Sequence, residues 1–457
     1  MKYCTGSGKT RIAIAAIQIM LEQKKTPVII VPGIPLCKQW ARELAVNFPQ
    51  VVERKPIIEC HSDNYSYKKM LPKYTLPDQA GNAIILVLTK TAQTDFFKKH
   101  INAGKHNFLI ADECHKLWAK GPNTILNLPW DDCPRLALSA TPEERVNIFD
   151  TYEETEEIED NPKVDVIKFF GGKNDNGEYT PNDIFTLHDA IEKGILKKYY
   201  YHIKFAYLTD NEVDDYLMVT KRLNKYMNIK FPTPEQRRRR DAAIFERLQI
   251  ISVAEDKKRV VLDVIDDSKN KDDAVNLNDQ NWVVYVGVGP VPKNEEGNPI
   301  TSEKEIVKME ETLIEWRQKR KHFEIWPFHS SRSREELNNS LEKFTYLGGV
   351  LLANRMFDEG IDVPALSRGI IMASSSNERE FIQRRGRLLR KDKRRPNERA
   401  IIWDTIVLPP YQHHPVTGED LFEKFNTHLK TELKRSQLFA IDSINGPTVQ
   451  LNIENIA

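Results

Sequence analysis

The residues best suited to chemistry form the run TGSGKT near the start of the chain, from Thr5 to Thr10. Glycines let a backbone wrap closely around a phosphate group, and the N–H groups at the start of a following helix point at it. In such a loop the lysine, Lys9, would reach the β- and γ-phosphates, and the hydroxyl of Thr10 would ligate Mg²⁺. Tyr3 stands where the general pattern has its first glycine, so the run is a variant, and the alternative is a glycine–serine turn before a helix. The predicted phosphate-binding residues are Gly6, Ser7, Gly8, Lys9 and Thr10.

An acidic pair, Asp112 and Glu113, follows the strand-like residues 107–111 directly. Ligands of α/β proteins bind at the carboxyl ends of the strands. Asp112 suits Mg²⁺ coordination, and Glu113 suits general-base work on a water molecule. The alternative is a solvated acidic loop. We favour it less, because the same chain also contains the glycine-rich loop.

Two further runs carry weaker signals. Ser139 and Thr141 end a strand-like run and precede a proline, a combination that is also common in plain turns. In the run 383–390 (QRRGRLLR), Arg387 and Arg390 are three residues apart, so on a helix they would share one face. Two guanidiniums on one face can clamp a triphosphate, although a solvated basic helix is the alternative.

The elements that must position these residues form two α/β units. Apolar runs alternate with helical stretches in each, which indicates parallel sheets with helices on both faces. Predicted strands cover 27–31, 83–88, 107–111, 135–139, 282–288, 324–328, 349–353, 369–372 and 400–403, with early helices at 12–21 and 36–48. Residues 150–185 are typical of a connector or surface insertion, and 211–268 are helical in character. The predicted organisation is a first lobe over 1–190, a connector and helical segment over 191–275, a second lobe over 276–410 and a C-terminal tail over 411–457.

Composition limits the class of protein. The chain has 457 residues, enough for two to four domains, and no apolar window approaches the roughly 18 residues that span a bilayer. The net charge is only +1, so any basic surface must be local. The five scattered cysteines argue against a disulfide framework or a zinc site and fit a reducing cytoplasm.

Together and in this order, the runs resemble the superfamily 2 helicases over about residues 1–410. TGSGKT resembles motif I, VIIVPGIPLCKQW motif Ia, DECH the DEAD/DEAH-like motif II, SAT motif III, FDEGIDVP motif V and QRRGRLLR motif VI. FTLHDAIEKGIL, at 185–196, resembles the segment between the two lobes of members that act on DNA. DEGIDVP and EREFIQRRGRLLR are most similar to the branch of XPB-like, UvsW-like and restriction-motor subunits.

The resemblance implies two RecA-like P-loop lobes that share one ATP with Mg²⁺. It implies that Lys9 and Thr10 bind the phosphates and the metal, that Asp112 coordinates Mg²⁺ and that Glu113 activates the attacking water. The residues it implies for coupling hydrolysis to nucleic-acid contact are Ser139 and Thr141.

In the second lobe, the resemblance implies that Gly360 and Asp362 respond to ATP and nucleic acid. It places Gln383 near the γ-phosphate and makes Arg387 and Arg390 arginine fingers. The family also has a strand and an adenine-binding segment before motif I, and only eight residues precede Lys9 here. That N-terminal strand is therefore expected to be missing.

The expected function is ATP-dependent translocation along, or unwinding of, duplex DNA with little sequence preference, by a cytoplasmic ATP hydrolase without a membrane partner. A DNA repair, restriction or phage-defence system with a separate nuclease or defence subunit is the expected context. The alternatives are a degenerate fold that binds nucleic acid without efficient turnover, and an RNA helicase. Candidate DNA-contacting cations, each with a solvated-surface alternative, are Lys90, Arg237–Arg240 and Lys391–Arg395.

Overall fold

The computed structural model describes residues 1–49, 53, 55–143, 164–227, 229–270, 281–287, 304–319, 323–329, 332–354, 366–372, 378–392, 394–395 and 397–454. Two units emerge from the contacts among them, the first formed by Met1–Lys193 and the second starting at Gly194. No helix in this described part of the chain is long and apolar enough to cross a membrane.

The first unit alternates short strands and helices. Its strands are β1 (Lys2–Tyr3), β2 (Thr26–Val31), β3 (Ile57–Cys60), β4 (Ile84–Leu88), β5 (Asn107–Asp112), β6 (Arg135–Leu138), β7 (Gly172–Lys173), β8 (Tyr179–Thr180) and β9 (Ile184–Phe185). Its helices are α1 (Lys9–Glu22), α2 (Ile34–Asn47), α3 (Tyr67–Tyr74), α4 (Thr89–Ala92), α5 (Asp95–His100), α6 (Lys120–Asn123), α7 (Val166–Phe170) and α8 (Leu187–Glu192). Short 3₁₀ turns cover Pro77–Gln79, Cys114–Trp118 and Thr124–Asn127.

Five of these strands form one parallel sheet in the order β3-β4-β2-β5-β6. Every residue of β2, β4 and β5 is buried, as expected for central parallel strands covered on both faces. In β2, Val28 and Ile30 face one apolar cluster while Ile29 and Val31 face the other. The predicted parallel sheet is thus confirmed, and all its carboxyl ends lie on one edge.

A strand does precede the glycine-rich loop, which corrects the expectation that it is missing. Strand β1 pairs in parallel with β9 and forms a parallel bridge from Lys2 to Ser139. The N–H of Tyr3 donates to the carbonyl of Ser139 at 3.0 Å, and the N–H of Cys4 donates to Phe185 at 3.0 Å. Two residues are too few to show a hydrophobic period, so the sequence pattern gave no sign of this strand.

The second unit contains six strands and eight helices among its described residues. The strands are β10 (Tyr199–Tyr207), β11 (Asn281–Tyr285), β12 (Ile325–Phe328), β13 (Gly349–Ala353), β14 (Arg368–Ile371) and β15 (Ala400–Leu408). The helices are α9 (Asp210–Met227), α10 (Pro234–Ser252), α11 (Lys257–Asn270), α12 (Lys304–Lys319), α13 (Arg334–Leu347), α14 (Glu378–Leu388), α15 (Leu421–Ala440) and α16 (Gly446–Glu454).

The second sheet is also parallel, in the order β10-β15-β14-β11-β13-β12. Its edge strand β10 falls in the predicted connector and pairs with β15 over nine residues. Helices α15 and α16, in the predicted tail, pack on β10. The unit boundaries therefore differ from the predicted ones, because β10 and the two last helices complete the core of the second lobe.

The edge strand β10 is held in part by one side chain. The amide of Asn445 donates to the carbonyl of Tyr201 at 2.8 Å, and its oxygen accepts from the N–H of Tyr201 at 3.0 Å. Asn445 thus makes the two backbone hydrogen bonds that a neighbouring strand would otherwise make.

Replacing Asn445 with Ala should lower the free energy of unfolding by about 1–3 kcal/mol, because it leaves a half-buried N–H and C=O without their partner. Urea unfolding followed by circular dichroism measures this change. Asn397, an exposed residue before β15, supplies the control Asn397→Ala, which should shift stability by no more than about 0.5 kcal/mol. Equal effects of the two changes would contradict the role given to Asn445.

Candidate nucleotide-binding site

The glycine-rich loop has the backbone that phosphate binding requires. Gly6 and Gly8 adopt φ values of 83° and 95°, in the left-handed region that favours glycine. A Cβ at Gly8 would meet nothing within 4 Å, so backbone conformation rather than space demands glycine there. Helix α1 then begins at Lys9 without a side-chain cap and without an acidic residue in its first turn. This leaves its positive end suited to an anion.

The loop's own carbonyl groups hold Lys9. Its Nζ donates to the carbonyl oxygens of Tyr3 at 3.2 Å and Cys4 at 3.4 Å. The hydroxyl of Ser7 also donates to Cys4, at 2.7 Å. Lys9 is therefore folded back over the loop, where phosphate oxygens could replace the two carbonyl groups as its acceptors.

The carboxylate of Asp112 is buried at the carboxyl end of β5. It accepts hydrogen bonds from the indole N–H of Trp40 at 2.8 Å and from the N–H of Glu113 at 3.0 Å. Burial and the neighbouring Glu113 carboxylate raise the pKa of Asp112 to about 6, against the opposing effects of Trp40 and Lys9. The influence of Lys9 on this pKa shows that the loop and the acidic pair share one electrostatic environment.

A chain of polar contacts links Glu113 to the end of β6. The Nδ1 of His115 lies 3.3 Å from the Glu113 carboxylate and 3.1 Å from the Ser139 hydroxyl, which accepts the N–H of Thr141 at 3.1 Å. Burial alone would raise the pKa of Glu113, but the His115 hydrogen bond and the charge of Lys9 outweigh it and lower that pKa. Glu113 adopts φ 49°, an uncommon left-handed conformation for a residue with a side chain.

The contacts of His115 were not predicted. The histidine is adjacent to the acidic pair in DECH, but no local pattern shows that its ring contacts Ser139, 24 residues later. The structure thus brings together the glycine-rich loop, the acidic pair and the predicted coupling residues Ser139 and Thr141, all within the first unit.

The remaining predicted site residues belong to the second unit or cannot be described. Gly360 and Asp362 lie outside the described residues. Gln383 is half-buried, and Arg387 is 6% exposed near the end of α14. The prediction that Arg387 and Arg390 share one helix face is wrong, because α14 ends at Leu388. Arg390 instead forms an antiparallel bridge with Leu196, which takes the chain out of the helix.

Helix α14 rests on the C-terminal helix α15, a contact that the sequence did not reveal. The guanidinium of Arg435 lies 4.1 Å from the centre of the Phe381 ring, and that of Arg385 lies 4.4 Å from the Phe439 ring. Arg435 is itself paired with the buried carboxylate of Asp404 on β15 at 3.1 Å. The position of α14 therefore depends on residues some fifty positions later in the chain.

The candidate DNA-contacting cations differ in exposure and in whether an ion pair is seen for them. Lys90 and Arg238 are exposed. Other members of the predicted groups have ion pairs: Arg239 with Glu235, Arg240 with Asp241, Arg394 with Asp392 and Arg395 with Glu398.

Comparison with known proteins agrees with this architecture. Residues 1–144 match the family model described as type III restriction enzyme, res subunit, and residues 294–392 match the helicase conserved C-terminal domain. The DNA 3'-5' translocase XPB2 of Sulfurisphaera tokodaii is 26% identical over 401 residues, covering 85% of this chain and 73% of that protein.

Two solved structures show the same fold. The Hef helicase domain of Pyrococcus furiosus has a TM-score of 0.50 at 14% identity, over 89% of this chain and 91% of that one. The ATP-dependent Type ISP restriction-modification enzyme LlaBIII bound to DNA has a TM-score of 0.53 at 16% identity, over 96% of this chain and 28% of that one.

The fold and the glycine-rich loop define a P-loop protein with two RecA-like α/β lobes. Both family matches and the translocase relative support a protein of the superfamily 2 helicase and translocase type.

The hydrogen bond from Trp40 to Asp112 should set the acid limit of metal binding, that is, the lowest pH at which Mg²⁺ can bind at Asp112. If Asp112 holds Mg²⁺ through its ionised carboxylate, binding should weaken as pH falls through about 6. Trp40→Phe removes a donor to the charged form, so it should move this limit about one pH unit higher.

Titrating Mg²⁺ affinity against pH tests this expectation. The control is Trp130→Phe, which also removes a buried indole N–H, but one that donates to the Ile125 carbonyl rather than to a carboxylate. An unchanged acid limit in Trp40→Phe would show that its indole N–H does not set the ionisation of Asp112.

Proposed function

We propose that this chain is an ATP hydrolase that moves along or unwinds duplex DNA. The observation that carries the proposal is the meeting of Lys9, Asp112 and Glu113 at the carboxyl edge of one parallel sheet, with Lys9 close enough to lower the pKa of both carboxyl groups. A lysine-bearing phosphate loop beside a buried acidic pair is the arrangement that phosphoryl transfer from a nucleoside triphosphate needs.

The oxygen donors fit a magnesium ion. Asp112 and the hydroxyl of Thr10 would hold it, and when bound it would neutralise charge on the phosphates. Lys9 would exchange its two carbonyl partners for phosphate oxygens. Glu113, whose pKa is lowered, stays ionised near neutral pH and would accept the proton of the attacking water.

The contacts from Glu113 through His115 to Ser139 suit a coupling role. A movement of the segment after β6 would change the hydrogen bond that the N–H of Thr141 donates to Ser139 and, through His115, the orientation of Glu113. Nucleic-acid contact with that segment would then control hydrolysis, as the resemblance implies for Ser139 and Thr141.

Duplex DNA is the nucleic acid along which we propose that the chain moves. The relative from Sulfurisphaera tokodaii is a DNA translocase, and LlaBIII was solved bound to DNA. Contacts of a translocase are chiefly to phosphate, so they should carry little sequence preference. We propose a separate nuclease or defence-system subunit as the partner of this motor.

A pair of substitutions separates binding from turnover. Glu113→Gln keeps the shape of the side chain but cannot take a proton, so ATP affinity should persist while hydrolysis falls at least a hundredfold. Lys9→Ala should lose both, because the phosphates lose a charge-assisted contact worth at least about 2 kcal/mol.

Fluorescent-nucleotide binding and phosphate release, with and without DNA, distinguish the two variants. Turnover by Lys9→Ala at the wild-type rate would refute the site. Absence of turnover in the wild type with any DNA or RNA would favour the degenerate-fold alternative, and stimulation by RNA alone would favour the RNA helicase.

Arg387 and Arg390 are proposed to act on the transferring phosphate. An arginine of this kind contributes roughly 10³–10⁵ in rate in other phosphoryl-transfer enzymes. Replacing either with Ala should therefore lower the ATPase rate far more than ATP affinity, and DNA should no longer stimulate the remainder.

Steady-state rates at saturating DNA, with melting temperatures as the check on folding, test this assignment. Arg399→Ala is the control, since Arg399 is exposed and its guanidinium contacts the Tyr200 hydroxyl. Arginine variants that lose only DNA affinity and keep the normal basal rate would mark a DNA contact instead.

Binding to DNA should weaken as salt rises and should change little between sequences. Arg238→Gln should reduce the slope of log affinity against log salt by about one if this residue meets a phosphate. Lys430→Gln removes one exposed charge from α15 and should leave the slope unchanged. Fluorescence anisotropy at several salt concentrations measures both, and equal slopes would remove Arg238 from the DNA-contacting set.

A further inference from the structure

A second group of potential ligands lies at the same edge of the first sheet, away from the acidic pair. Cys37 is in the first turns of α2, Glu59 is on β3 and His61 follows that strand directly. One ligand atom from each of the three residues lies within 4.8 Å of the other two. The Nε2 of His61 is 3.4 Å and the Sγ of Cys37 is 3.9 Å from the same carboxylate oxygen of Glu59.

The three ligand types and their spacing fit a zinc-like ion. Thiolate, imidazole and carboxylate bind Zn²⁺ at about 2.0–2.3 Å, which places tetrahedral ligand atoms roughly 3.3–3.5 Å apart. The observed separations reach that range with movements of less than about 1 Å. Hard cations such as Mg²⁺ avoid thiolate, so the set favours a thiophilic metal.

Burial and rigidity distinguish the group from a surface cluster. Cys37 is 0% and His61 4% exposed, while the side chain of Glu59 is 28% exposed and gives access from solvent. The turn after β3 is fixed by an Asn64 amide that donates to the Glu59 carbonyl at 3.0 Å.

We propose that Cys37, Glu59 and His61 form a binding site for a thiophilic divalent cation of the zinc class, separate from the nucleotide site. Three protein ligands leave a fourth position for water or another donor. This departs from the expectation drawn from the scattered cysteines, since only one cysteine takes part and the other ligands lie 22 and 24 residues further along the chain.

Binding moves two protons. The thiol of Cys37 loses one to solvent as the sulfur–metal bond forms. The N–H of Asp63 donates to His61 Nδ1 at 3.2 Å, which leaves the ring proton on Nε2. When a metal binds Nε2, the ring proton therefore moves to Nδ1 and the hydrogen bond from Asp63 is lost. The Glu59 carboxylate, which faced the proton on Nε2, then contacts the metal instead.

Helix α2 would connect the metal to the acidic pair. Cys37 and Trp40 are three residues apart on its buried face, and Trp40 donates to Asp112. A bound ion would fix the first turn of the helix that carries this donor.

Titrating the metal-free full chain with Co²⁺ tests the site. A thiolate–Co²⁺ charge-transfer absorbance should grow and saturate at one equivalent, and Zn²⁺ should displace it. Cys37→Ala should abolish the band, and Glu59→Gln, which keeps the side-chain shape, should weaken Co²⁺ at least tenfold. Cys133→Ala is the control, because its buried thiol donates to the carbonyls of Asn107 and Pro134 and its loss should leave the band unchanged.

The charge-transfer band must come from Cys37 and not from Cys4 or Cys114, the cysteines near the nucleotide site. A band that survives in Cys37→Ala, or no band in a wild-type chain with native circular dichroism, overturns the proposal. Unaltered Co²⁺ affinity in a folded Glu59→Gln would do the same. The measurement uses no ATP or DNA, so its outcome is independent of the proposed motor activity.

Discussion

The structure of the first lobe depends on keeping a carboxylate ionisable inside a protein core. Moving Asp112 from water to the end of a wholly buried strand disfavours its charge, and the raised pKa records that cost. The indole of Trp40, the backbone N–H of Glu113 and the charge of Lys9 offset it. Each of these groups comes from a different element. The carboxylate of Asp112 therefore stays ionisable only while α2, the turn after β5 and the glycine-rich loop all keep their positions.

The same constraint explains the unusual backbone at Glu113. Its left-handed conformation turns the N–H back onto Asp112 and directs the carboxylate towards His115. Two adjacent carboxylates would otherwise raise each other's pKa, whereas here one is raised and its neighbour lowered. The two carboxyl groups therefore differ in their affinity for protons, and the histidine that lowers the pKa of Glu113 also contacts Ser139.

Sequence reasoning succeeded where local pattern and structure coincide. Buried parallel strands are continuous apolar runs, so β2, β4 and β5 were predicted to within a residue, and the phosphate loop has a fixed spacing. It failed where distant residues decide the structure. Strand β10 was overlooked because its three consecutive tyrosines, Tyr199 to Tyr201, acquire their role only beside β15. The end of α14 before Arg390 depends on the pairing of that residue with Leu196, which no helical period can show.

The C-terminal helices illustrate how such distant contacts reach the site. Arg435 is buried between Asp404 and Glu432 and also stacks on Phe381 of α14, while Tyr201 donates to Asp404 at 2.7 Å. A buried ion pair adds little net stability over apolar packing, but removing one partner leaves an uncompensated charge and costs about 3–5 kcal/mol. Its value here is geometric, since one guanidinium contacts both carboxylates and the Phe381 ring and thereby links β15, α15 and α14. Charges on β15 and α15 thus help to hold the helix that carries Arg387, which makes α15 an integral part of the second lobe.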